Sequence, residues 1–128
     1  MTKLEKMKAL RNDPAVHYNC CQSVLMPFAE ECRISEEAAC KLGAHFGGGM
    51  RMGSVCGALV GALMALGAMD CGDEARKKLV EEFKAKHECL NCADLLKRAV
   101  DQGVPRKVHC DGLVEECVTQ VEELSGKH

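Results

Sequence analysis

Tryptophan is missing from this chain and aromatic residues make up only 3% of it. Platforms that stack bases or cage quaternary ammonium groups are therefore improbable, and the core has to be filled by Leu, Val, Ala, Met and Cys. Charge of one sign is missing too. Lys and Arg total 17 against 19 Asp and Glu, a net charge of -2, and no basic stripe of the kind that neutralises phosphates runs along the sequence. That argues against a nucleic-acid partner. The longest uncharged apolar stretch, Val55 to Met69, covers 15 residues, short of the ~20 that span a bilayer, so no membrane span is expected. Nowhere does hydrophobicity alternate with period two for more than a few residues, which leaves no sheet. The N-terminal stretch MTKLEKMKALRNDP has a charged helical pattern without the apolar core of a secretory signal, and the expected location is cytoplasmic.

What remains is an all-α pattern. At 128 residues and 47% hydrophobic content, the chain can bury a core as one domain, residues 1–128, with an N-terminal arm over 2–16. Leu4, Met7 and Leu10 give that arm a short amphipathic helix closed by Asn12-Asp13-Pro14. Asn19 caps a helix from Cys20 to about Cys32, kinked or broken at Pro27. Ser35 with Glu36 and Glu37 opens the next, which ends at Gly47-Gly48-Gly49. An apolar helix follows from about Ser54 to Met69, then helices from Asp73 to about Lys86, Cys92 to about Val100 and Asp111 to Leu124. Gly53, Gly57 and Gly61 recur every four residues, so they predict one bare face for close helix packing. The fold expected is a compact helical bundle of about six helices around a central glycine-striped apolar helix. The arm and the bare face also suggest a homodimer.

Ten cysteines in a reducing compartment point to metal ligation, thiol redox chemistry or both. Cys32 and Cys117 continue apolar stripes and read as core packing. Cys20, Cys56 and Cys92 fall in the first turns of predicted helices, and Cys110 immediately precedes one. Helix N-termini offer free amides and partial positive charge, which favour thiolate, the nucleophilic and metal-binding form. Cys89-x-x-Cys92 is compatible with zinc, iron–sulfur or dithiol chemistry. Ala93 follows it where covalent haem attachment needs His. The five histidines form neither HExxH nor a triad, and read as surface or packing residues.

Three runs, Asn19-Cys20-Cys21-Gln22-Ser23-Val24-Leu25, Phe46-Gly47-Gly48-Gly49-Met50 and Val55-Cys56-Gly57-Ala58-Leu59-Val60-Gly61, resemble the C_GCAxxG_C_C family of redox-active proteins. Cys92 and Cys110 match its later cysteines, and the resemblance spans roughly residues 17 to 124. It implies a helical domain with four signature cysteines, related to a module that carries an iron–sulfur centre in some multidomain cytochromes, and it implies no particular reaction. The additional Cys21 and Cys89 stand close enough in sequence to substitute for Cys20 and Cys92. On these grounds the expected function is electron transfer with a redox protein partner. The expected centre is an iron–sulfur cluster held by Cys20, Cys56, Cys92 and Cys110, with Gly47, Gly48, Gly49 and Gly57 bringing backbone close to it. The alternatives are a metal-free thiol–disulfide protein and a binder of zinc or another soft metal. No catalytic reaction is assigned; an activity, if there is one, is of oxidoreductase type.

Overall fold

In the computed structural model, which describes residues 1–127, a Thr-x-x-Glu box opens the first helix. Thr2 Oγ1 accepts from the Glu5 amide at 3.0 Å and Glu5 accepts from the Thr2 amide at 3.0 Å, satisfying two donors that the first helical turn leaves free. This helix, α1, runs Lys3–Arg11. Asn19 and Gln22 repeat the device at the start of α2 (Cys20–Leu25). Periodicity alone carries that helix on to Cys32. The chain instead tightens into a 3-10 turn over Met26–Phe28, because Pro27 has no amide to continue the ladder. Ser35 caps α3 (Glu36–Gly43) through the Ala38 amide. A wide turn over Gly49–Gly53 leads to α4 (Gly57–Ala68), followed by α5 (Asp73–His87), α6 (Cys92–Asp101) and α7 (Arg106–Ser125). Among the described residues there is no β-strand and no helix long and apolar enough to cross a membrane.

Two helix starts lie away from their predicted places. Helix α4 begins one residue after Cys56, which serves as its N-cap. Helix α7 begins directly after Pro105 (φ -59°), so Cys110 sits inside it rather than ahead of it. Proline holds the φ a helix start requires. Gly112, within the same helix, costs only about 1 kcal/mol relative to alanine and does not end it.

Helix α4 packs against α2 on one side and α7 on the other. Phe28, Leu59, Leu66, Val114, Val118 and Val121 are fully buried between these elements. Bare backbone permits the approach to α2: a Cβ on Gly61 stands 2.7 Å from the Cys21 carbonyl oxygen, and one on Gly57 stands 2.7 Å from that of Phe46. Gly53 does not share this face. It lies in the preceding turn at φ +72°, against Ala93. Helix α1 docks on α7 and α2, burying Met7, and Arg11 Nε meets Asp111 Oδ1 at 2.7 Å. Lys3 pairs with Glu31 beneath the same helix. The arm and the bare glycine face, the features that suggested a dimer, are both used within the chain.

A methyl group at Gly61 has nowhere to go. Gly61→Ala is expected to lower unfolding free energy by about 1–3 kcal/mol through overpacking. Gly67→Ala on the exposed end of the same helix, where a Cβ meets nothing within 4 Å, is expected to raise it by about 0.5–1 kcal/mol through reduced unfolded-chain entropy. Denaturant titration of both variants checks the contrast.

Candidate functional site

The position of Cys20 follows from its neighbour Asn19. Beyond capping α2, the Asn19 side chain donates to the Gly43 and Ala44 carbonyls at 3.0 and 3.3 Å, and Gln22 Nε2 donates to the Cys40 carbonyl at 2.8 Å. These bonds tie the start of α2 to the end of α3. The glycine loop then passes behind Asn19: a Cβ on Gly47 lies 2.5 Å from Asn19 Cβ, and one on Gly49 lies 2.4 Å from the Ser54 carbonyl oxygen and 2.9 Å from Cys92 Cβ. Gly47 and Gly49 thus permit chain crossings, while Gly48, with nothing within 4 Å of its Cβ position, faces open space. Cys56 and Cys92 are joined by an isolated antiparallel bridge at Val55 and Asn91. The Cys56 amide donates to the Leu90 carbonyl at 2.8 Å, and the Cys92 amide to that of Ser54 at 2.6 Å.

Cys20, Cys56, Cys92 and Cys110 line one cavity of about 30 Å³, together with Gly48, Gly57 and His109. Cys20, Cys92, Cys110, Gly47 and Gly48 also line a larger open cleft of about 860 Å³ outside it. Cys21 and Cys89 line neither. The Cys21 sulfur lies 3.8 Å from Met64 Sδ, and the Cys89 thiol donates to the His87 carbonyl at 3.4 Å. Cys32 and Cys117 are buried in the core, as their stripes imply.

The electrostatics differ from what helix starts alone imply. Cys20 and Cys110 face one another across this lining and act on each other's thiols in opposite directions. The pairing pushes the Cys20 thiol well up and draws Cys110 down to about 6, with the Arg11 and Arg106 guanidiniums also favouring the Cys110 thiolate. Burial pushes Cys56 up to about 11, outweighing the lowering influence of the nearby Ala58 and Leu59 amides at the start of α4. Burial also raises Cys92. Desolvation therefore wins over the helix terminus at both residues, and the thiolate is placed by Cys20 and two arginines inside the second turn of α7. His109 is held neutral by burial, and its Nε2 is buried without a hydrogen-bond partner.

The family model described as putative redox-active protein (C_GCAxxG_C_C) matches residues 18–124. The chain belongs to this family. Comparison with curated proteins and with solved structures yields no match. In this C_GCAxxG_C_C protein α1 precedes the matched residues, yet its Arg11 is one of the cations that stabilise the Cys110 thiolate.

Sequence reasoning missed His109, Arg11 and Arg106. With α7 begun at Pro105, Arg106, His109, Cys110, Leu113 and Cys117 share one helical face, and that spacing points to His109 and Arg106. Beginning the helix at Asp111 concealed it. Arg11 left no such signal, because its partners lie at the far end of the chain.

Cys110 of the reduced, metal-stripped protein is expected to react with iodoacetamide along a curve rising near pH 6, with Cys56 unreactive until far higher pH. Cys20→Ala removes the principal cause and moves the Cys110 curve upward, toward ordinary thiols. Peptide mass mapping after timed alkylation reads both.

Proposed function

We propose that this C_GCAxxG_C_C protein is an electron-transfer protein whose centre is an iron–sulfur cluster bound through Cys20, Cys56, Cys92 and Cys110. The observation that carries this reading is the presence of four cysteines from four separate stretches of chain on one cavity. Packing alone calls for no such meeting, and soft thiolates favour iron–sulfur clusters, zinc and copper(I) over hard cations. The donor chemistry fits: four sulfurs and a neutral imidazole whose Nε2 lacks a partner. As the side chains stand, no three His, Cys, Asp or Glu among the described residues are arranged to hold a metal ion. A cavity of about 30 Å³ admits one ion or water. Loading thus requires the thiols to lose protons and turn inward, and the cluster to extend toward the cleft that Cys20, Cys92 and Cys110 share.

When bound, the cluster supplies one-electron transfer. Arg11 and Arg106 offset its negative charge, and His109 stands within the lining as a nitrogen donor to the metal or its sulfides. The compact bundle centres on α4, whose bare Gly57 belongs to the cavity wall. Electrons pass to a redox protein partner, and ten thiols favour the cytoplasm.

The placement of Cys20 beside Cys110 on one cavity, with Cys110 drawn toward thiolate, favours a second, metal-free reading. The Cys110 thiolate attacks a partner disulfide and expels one partner thiolate. Cys20 then gives up its proton and displaces the other, leaving a Cys20–Cys110 disulfide and a partner reduced by two electrons.

Anaerobic purification with iron, acid-labile sulfide and zinc assays decides between them. Iron and sulfide are expected in the wild type, lost in Cys56→Ala and retained in Cys40→Ala. An iron-free wild type after reconstitution overturns the cluster. Zinc in its place assigns the soft-metal alternative, and an iron-free protein that gains a mapped Cys20–Cys110 crosslink on oxidation assigns the dithiol.

A further inference from the structure

The chain is net acidic, yet the cleft beside the cysteine cavity inverts that charge. Arg11, Arg51, Arg106 and Lys107 stand around it with His17, and none of the 19 carboxylate residues lines it. Asp111 already occupies two of these cations, bridging Arg11 and Lys107 at 2.7 and 2.8 Å, while Arg106, exposed, stands in the lining near Cys110. Arg51 is different: it is exposed and has no carboxylate partner among the described residues. Its backbone is also strained. Gly48, Gly49, Met50 and Arg51 form four consecutive left-handed residues, with φ of +63°, +64°, +58° and +58°, and each of the two with side chains costs about 1–2 kcal/mol there. An arginine kept unpaired at the rim of a cleft by strained backbone serves binding rather than stability.

The shape of the cleft selects the ligand. Its volume of about 860 Å³ lies within the range of small-molecule sites, and a concave space suits a small ligand better than a protein face. Met52, 76% exposed, and Leu96 add apolar wall beside the cations. Guanidinium forks match carboxylate and phosphate oxygens two at a time.

We propose that this cleft binds a small organic oxyanion, a carboxylate or a phosphate ester. Arg51 and Arg106 grip the anionic group, Met52 and Leu96 cover its uncharged body, and the ligand lies against Cys20, Cys92 and Cys110. The site shares its inner wall with the cysteines, and its outer grip at Arg51 rests on no particular occupant of theirs.

Calorimetric titration of the reduced full chain tests this, with S-methylglutathione as the carboxylate probe and adenosine 5′-monophosphate as the phosphate probe. At least one is expected to saturate at one per chain, more weakly as salt rises through about 0.1 M. Arg51→Gly removes the guanidinium and relieves the left-handed strain, so it is expected to weaken binding about fivefold or more, the loss of one charge-assisted contact, while melting at higher temperature than the wild type. Lys84→Gln on α5, with the same change in net charge, is expected to bind as the wild type does. Saturation by one probe only assigns the anionic group. No saturation by either probe, undiminished binding in Arg51→Gly, or binding of polyglutamate alone, which marks an acidic protein face as the partner, overturns the proposal.

Discussion

The contact between α2 and α4, with no side chain at Gly57 or Gly61 between the two backbones, sets the spacing of the whole cysteine region. A Cβ at Gly57 falls 3.4 Å from Cys20 Cβ and 2.7 Å from the Phe46 carbonyl oxygen. That one missing atom is what lets Cys20, the chain entering the glycine loop and the start of α4 occupy the same corner. Helix α7 closes the corner by packing on α4 and α2 together, which brings Cys110 and His109 in from the other end of the chain.

Burial and charge then act in opposite directions on those sulfurs. Cys56 lies deepest and keeps its proton despite two helix-start amides, because moving a charge out of water outweighs a partial dipole. Cys110 has the same sulfur chemistry but the Cys20 thiol and two guanidiniums beside it, and it holds the negative charge. The site is thus polarised, with Cys110 anionic on the cationic cleft, Cys20 and Cys92 protonated beside it and Cys56 protonated within. Loading any thiophilic group costs the protons of the inner cysteines, which ties affinity for it to pH.

The helices, their caps at Asn19 and Ser35 and the break at Pro27 were legible because each depends on residues within a few positions of one another. Cys20, Cys56, Cys92 and Cys110 were legible as a set for a related reason, since the glycine loop and the CGAxxG run around Cys56 are local signatures. Their electrostatic setting was only partly legible. Cys110 lies inside a helix, and its thiolate owes more to Cys20, Arg11 and Arg106 than to any helix terminus. Gly47 and Gly49 bring chain segments past Asn19, Ser54 and Cys92, a packing role that the sequence pattern did not show.

The sequence by itself determined the helical class, the want of any stretch long and apolar enough for a spanning helix, the positions that cap and break helices, and the family to which the chain belongs, because these follow from short-range periodicity, backbone stereochemistry and local motif. Only the tertiary structure decided which cysteine carries charge, that His109 enters the lining, and that arginines from α1, the glycine turn and α7 surround one cleft. Those outcomes depend on burial and on pairs as far apart as Arg11 and Asp111, and neither desolvation nor a contact across a hundred residues leaves a periodic trace in the order of amino acids.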